Sequence, residues 1–115
     1  MRHLTFLLLV LISSTLIAQK SAEEYVKMAK EKMLIKDYET ALRNLDKAIE
    51  LDPELASAYR ERGIVKFNTE KYSDAISDFN KAIELEDAGK LPFTKKGESY
   101  FHRGLSNYKL GYFNK

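Results

Sequence analysis

Part of this chain is written twice, and that repetition restricts its fold more than any other feature. Displaced by 34 residues, the sequence sets Ala22 on Ala56, Tyr25 on Tyr59, Lys32 on Lys66 and Tyr38 on Tyr72. Ala41, Lys47 and Ala48 then fall on Ala75, Lys81 and Ala82, and Ile49-Glu50-Leu51 on Ile83-Glu84-Leu85. Ten identities in 34 positions make residues 22–55 and 56–89 tandem copies. A unit this short cannot bury an apolar face alone, so successive copies must stack on one another.

Each copy reads as two helices. Tyr38, Ala41, Leu42, Leu45, Ala48 and Ile49 trace one face of a 3.6-residue period, and Tyr72, Ala75, Ile76, Phe79, Ala82 and Ile83 repeat it. The preceding helices are less regular: Ala22, Tyr25, Met28 and Ala29, then Tyr59, Gly63 and Phe67. Between copies, Asp52-Pro53 ends one helix, because proline lacks an N–H and restricts the residue before it. No segment alternates with period two, so the expected fold is all-α. Small residues let helices cross closely and receive bulky ones. Ala29, Gly63, Ala41, Ala48, Ala75 and Ala82 are the expected close approaches, with Tyr25, Tyr59, Leu45 and Phe79 as fillers.

At these residues the chain resembles the tetratricopeptide repeat family, whose 34-residue unit carries an aromatic-x2-Leu-Gly-x2-Tyr start, then Ala-x3-Phe-x2-Ala, then Pro. The first copy matches through Tyr25, Met28, Ala29, Ala41, Leu45, Ala48 and Pro53, the second through Tyr59, Gly63, Ala75, Phe79 and Ala82. Lys32 and Lys66 replace an aromatic, Arg62 replaces leucine, and Asp87 stands where proline is expected. The resemblance implies an α-α superhelix, a solenoid of about two and a half helix-turn-helix repeats. After Gly89 the register slips: Tyr100 to Leu105 echoes Tyr59 to Ile64 at an offset of 41. Residues 90–96 are read as an inter-repeat insertion and 97–115 as a partial third repeat, first helix only. Thr94 is the expected cap of that helix and Gly111 its stop.

The first 18 residues differ from the rest. Met1-Arg2-His3 precedes a charge-free run of 15 residues, Leu4 to Ala18. A basic start, a short apolar stretch and a small residue at the end are the parts of a secretory signal. The run is short of the roughly 20 residues that span a bilayer as a helix. Residues 1–18 are therefore read as a signal peptide, with no membrane span after its cleavage. Export without cysteine suggests a bacterial periplasmic or secreted protein stabilised by packing rather than disulfides. Charge is uneven: residues 19–89 hold 12 Lys/Arg against 16 Asp/Glu, and 90–115 hold 6 against 1. The basic end is expected to complement the acidic half of its own fold.

Catalytic chemistry has little to stand on. There is no thiol, and beyond the signal His102 is the one imidazole. That cannot build a zinc site, no serine sits in a nucleophile elbow, and no glycine-rich loop cradles phosphate. Neither an enzyme nor a cofactor nor a metal is expected. The acids Glu23-Glu24 and Glu84, Glu86 and Asp87 are read as solvated faces. The basic, aromatic tail has the ingredients of a base-stacking platform. Helical spacing at Tyr100, Gly104 and Tyr108 reads instead as core packing, and export argues against a nucleic-acid partner.

What the resemblance implies is a protein or peptide partner held in the concave groove that the first helices line. The groove residues would be Lys27, Lys30 and Met33 from the first unit and Arg60, Glu61, Ile64 and Phe67 from the second. Phe101, His102, Leu105 and Tyr108 would come from the third. Truncating Phe67 and Arg60 is expected to weaken binding and leave the fold intact. Members that clamp a peptide's terminal carboxylate place Lys and Asn at set groove positions; here Val26 and Lys30, then Glu61, then Glu98 stand there. The alternative is a structural N-terminal part of a larger envelope assembly protein, its edge from Tyr100 to Phe113 covered by further repeats or by self-association.

Overall fold

The computed structural model describes residues 19–89 and 93–111. The expected signal segment, the first three residues of the expected insertion (90–92) and residues 112–115 lie outside the described residues. Among the described residues the chain is five α-helices with no strand: α1 (Ala22–Leu34), α2 (Tyr38–Leu51), α3 (Ala56–Asn68), α4 (Tyr72–Ala88) and α5 (Phe93–Lys109). The starts of α1 and α3, and of α2 and α4, are separated by the repeat length read from the sequence.

The local causes are visible at the helix ends. Ser21 accepts from the Glu24 N–H at 3.2 Å while Glu24 accepts from the Ser21 N–H, a reciprocal cap on α1. Asp37 accepts from the Thr40 N–H at 3.2 Å and so caps α2. Thr40, through its hydroxyl first and its backbone N–H second, holds the Asp37 carboxyl below its ordinary range. Asp52 closes α2, and Pro53-Glu54 form the turn into α3. In the second copy Asp87 replaces that proline, and α4 runs on to Ala88, three residues past the counterpart of Leu51.

The last helix departs from expectation at its start. It begins at Phe93, so Thr94 lies inside the helix, and residues 93–96 of the expected insertion form its opening turn. Gly111, with φ of 76°, ends it as expected. Much of the additional length between repeats is thus taken up by longer helices rather than by loop.

The small residues proposed as close approaches are all buried, with Ala29, Ala41, Ala48, Ala75 and Ala82 at 0% exposure. Leu45 and Phe79 are fully buried beside them. The tightest fit is in the second copy, where a Cβ on Gly63 would lie 2.6 Å from Phe79 Cε1. The same two positions in the first copy hold Ala29 and Leu45, a larger residue opposite a smaller one.

Sequential helices pack antiparallel in pairs, and α1 also meets α3, as α3 meets α5. No α2–α4 contact forms among the described residues. First helices therefore converge and second helices diverge, which curves the array with α1, α3 and α5 on the inside.

Candidate functional site

The inner face is the place where a partner could lie, and it is less uniformly open than the sequence reading had it. From α1, Lys27 and Lys30 are exposed, but Met33 is half-buried against the core. From α3, Ile64 and Phe67 are half-buried, whereas Glu61 is only 5% exposed. From α5, Phe101 and Tyr108 are open at 63% and 62%, while His102 and Leu105 are half-buried. Phe67, Phe79 and Phe101 surround the His102 ring, with centroids 6.5, 5.8 and 5.4 Å away.

Arg60 is not a free groove residue. Its Nη1 donates to Glu86 Oε1 at 2.8 Å, and its Nε faces Glu98 Oε2 at 3.5 Å. Glu86 is fully buried and takes a second bond from Ser99 Oγ at 3.0 Å, which ties α3, α4 and α5 together. Removing Arg60 would strand that buried charge, so truncation there disturbs the fold rather than only a binding surface. This burial corrects the expectation of a solvated face at Glu86. Its spacing from Phe79, Ala82 and Ile83 puts it on the apolar face of α4, a signal that its charge obscured.

A second polar cluster explains two departures from the repeat pattern. Arg62 grips Asp78 with Nε and Nη2 at 2.9 and 2.8 Å, and Lys66 Nζ reaches the same carboxylate at 2.8 Å. Arg62 Nη1 also donates to Asp46 at 3.1 Å. The bidentate pair with Asp78 holds the Arg62 guanidinium above even its ordinary value, permanently charged. Where the family pattern has apolar residues, this chain substitutes an ionic tie between α3 and its neighbours.

On α5 the buried face is not the aromatic one. Ser99 and Ser106 are at 0% exposure, and Tyr100 and Tyr108 face outward, contrary to the packing role read from their spacing. Arg103 lies 5.0 Å from the Tyr100 ring centroid and donates to Asn80 Oδ1 at 2.9 Å. Lys96 pairs with Asp87 at 2.9 Å, one bond of the expected kind between the basic end and the acidic half. No helix among the described residues is long and apolar enough to cross a membrane.

Comparison with known proteins agrees with this geometry. A family model described as TPR repeat matches residues 33–70. The chain is 38% identical over 96 residues to human serine/threonine-protein phosphatase 5, which covers 84% of this chain and 18% of that protein. It is 33% identical over 75 residues to the Hsp70-Hsp90 organizing protein of Triticum aestivum, over 65% of this chain and 13% of that one. The chain thus spans less than a fifth of the length of these curated relatives. The aligned stretch is a helical repeat domain, not a catalytic one. Among solved structures, the N-terminal domain of stress-induced protein-1 from C. elegans superposes with a TM-score of 0.73 at 24% identity, over 78% of this chain and 71% of that one. That likeness speaks for the fold. Repeat length, buried small residues, helix order and these matches agree: the chain belongs to the tetratricopeptide repeat family.

Proposed function

We propose that this chain is an interaction module that holds an extended segment of another protein along the concave face of α1, α3 and α5. The observation that carries the reading is Phe101, a large aromatic 63% exposed on the inner helix α5, beside the half-buried Phe67 and His102. An open apolar residue set among partly covered ones is the usual anatomy of a recognition surface. Phe101→Ala, at a position that costs the core nothing, is expected to weaken capture of a bound peptide at least about tenfold, since aromatic anchors dominate such interfaces. Unchanged affinity by fluorescence anisotropy, with an unchanged thermal melt, rules the groove out. Two relatives carry chaperone or phosphatase names, but the Lys and Asn of tail-clamping members are not reproduced at Val26, Glu61 and Glu98. A chaperone-tail carboxylate is therefore a poor fit.

A second reading, assembly of a larger protein through the α5 edge, draws support from Tyr100, Phe101 and Tyr108, all exposed on that helix. Sedimentation that stays monomeric as concentration rises would count against it. Export, to a bacterial periplasm or outside the cell, rests on residues 1–18 alone, and the intact mass of the mature product tests it.

A further inference from the structure

In the middle of the concave face three carboxylates, Glu61, Glu86 and Glu98, draw on the Arg60 guanidinium, and the exposed Lys30 of α1 is the other basic side chain whose charge Glu61 feels. Arg60 gives its best donor to Glu86, 2.8 Å away and fully buried. Glu61 is 5% exposed, accepts no hydrogen bond among the described residues, and has Arg60 Nε only at 4.0 Å, the outer limit of an ion pair. Glu98 is half exposed and shares that same Nε at 3.5 Å. One guanidinium thus serves three carboxylates. His102 donates Nδ1–H to the Glu98 carbonyl at 2.9 Å, which leaves Nε2 as a further acceptor in the neutral ring.

A carboxylate this deeply set, with only a long ion pair to Arg60, gains from a further cation brought to it. Burial, the largest influence, keeps the Glu61 carboxyl above its ordinary range; Lys30 and Arg60 pull it down, Glu98 pushes it up and His102 pulls it down. A metal ion does not fit, since no group of three acidic or imidazole ligands is placed to hold one among the described residues. An organic cation fits better. Phe67 and Phe101 flank the acids' neighbour His102, offering apolar and π surface to an aliphatic stem and its charged head.

We infer that the section of the groove between α3 and α5 receives a basic side chain, lysine or arginine, of the bound protein segment, with Glu61 and Glu98 as its anionic wall. This rests on the groove reading above. It reverses the charge logic of carboxylate clamping at the equivalent places, where acids stand instead of Lys and Asn.

The test is an array of immobilised 12-residue peptides probed with the chain and its variants, containing internal Lys or Arg, internal Asp or Glu, neutral controls and free acidic C-termini. The expected result is retention of peptides with one fixed basic position. Glu98→Gln and Glu61→Gln each lower that retention about tenfold. Glu98→Lys, at an exposed helical site, shifts the preference to Asp or Glu. Peptides held without a basic preference, or one untouched by all three variants, overturn the inference and leave the groove reading standing. Retention of acidic C-termini overturns it likewise. Failure to hold any peptide, or retention unchanged by Phe101→Ala, overturns the groove reading and this inference with it.

Discussion

Gly63 shows how one residue can decide a packing arrangement. Phe79 occupies the space a side chain at Gly63 would need, with its Cε1 2.6 Å from the position of a Cβ. Because Phe79 is fully buried it has nowhere to retreat. Gly63→Ala is expected to cost about 1–3 kcal/mol by overpacking, despite the gain in helix propensity. A thermal melt at or above the wild-type midpoint would contradict that. Glu61 makes the opposite case, a residue whose charge is a burden. Its folded-state carboxyl is raised above the ordinary value of 4.5, so its stabilising contribution is whole below that pH and is lost as pH rises through the folded value. Glu61→Gln should therefore melt higher than wild type at neutral pH, with the gap closing as pH falls below the ordinary value. A gap that widens on acidification would show the sign to be wrong.

At the scale of elements, the turns inside the two repeats are made identically and without glycine. Lys36 and Glu70, a repeat apart, have φ of 60° and 64°. In both, the following N–H closes a wide turn, Asp37 to the Lys32 carbonyl at 2.9 Å and Lys71 to the Lys66 carbonyl at 2.8 Å. A left-handed non-glycine residue is strained by roughly 1 kcal/mol or more. Glu70→Gly is expected to stabilise by up to about 1 kcal/mol, the strain relieved less the added unfolded-state entropy. Chemical denaturation with an unchanged slope reads the difference, and a lower midpoint would refute it. Neither turn was visible in the sequence, because lysine and glutamate carry no turn signal of their own. The caps were more legible: Ser21-Ala22-Glu23-Glu24 has the spacing of a reciprocal cap.

For the whole molecule, stability is shared between neighbours along the array. The central helices α3 and α4 each pack on a preceding and a following helix, and two ionic networks centre on α3. At the ends, α1 lacks a preceding repeat and α5 a following one among the described residues. In such one-dimensional stacks local opening proceeds from the ends. Amide exchange should be slowest in α3 and α4 and fastest in α5. Uniform protection along all five helices would indicate a single cooperative unit instead.

Repetition, helix periods and the Ala-large alternation in the sequence were enough to establish the helical array and most of its apolar core, with Val26, Ala58 and Val65 missed on the less regular first helices. Those features are local and periodic, and burial of the face they define has one solution. The acids were a different matter. Glu61, Asp78 and Glu86 look alike in sequence to Glu23 or Glu84, yet the first three are buried and the others exposed. What separates them is the helix face that the packing covers: Glu86 lies under Arg60 and Asp78 under Arg62 and Lys66, all from another helix, while Glu61 is covered with no cation at hydrogen-bond distance. Burial of charge depends on partners distant in sequence and on low-dielectric surroundings, so only the tertiary structure decided which side chains brace the repeats and which remain for a partner.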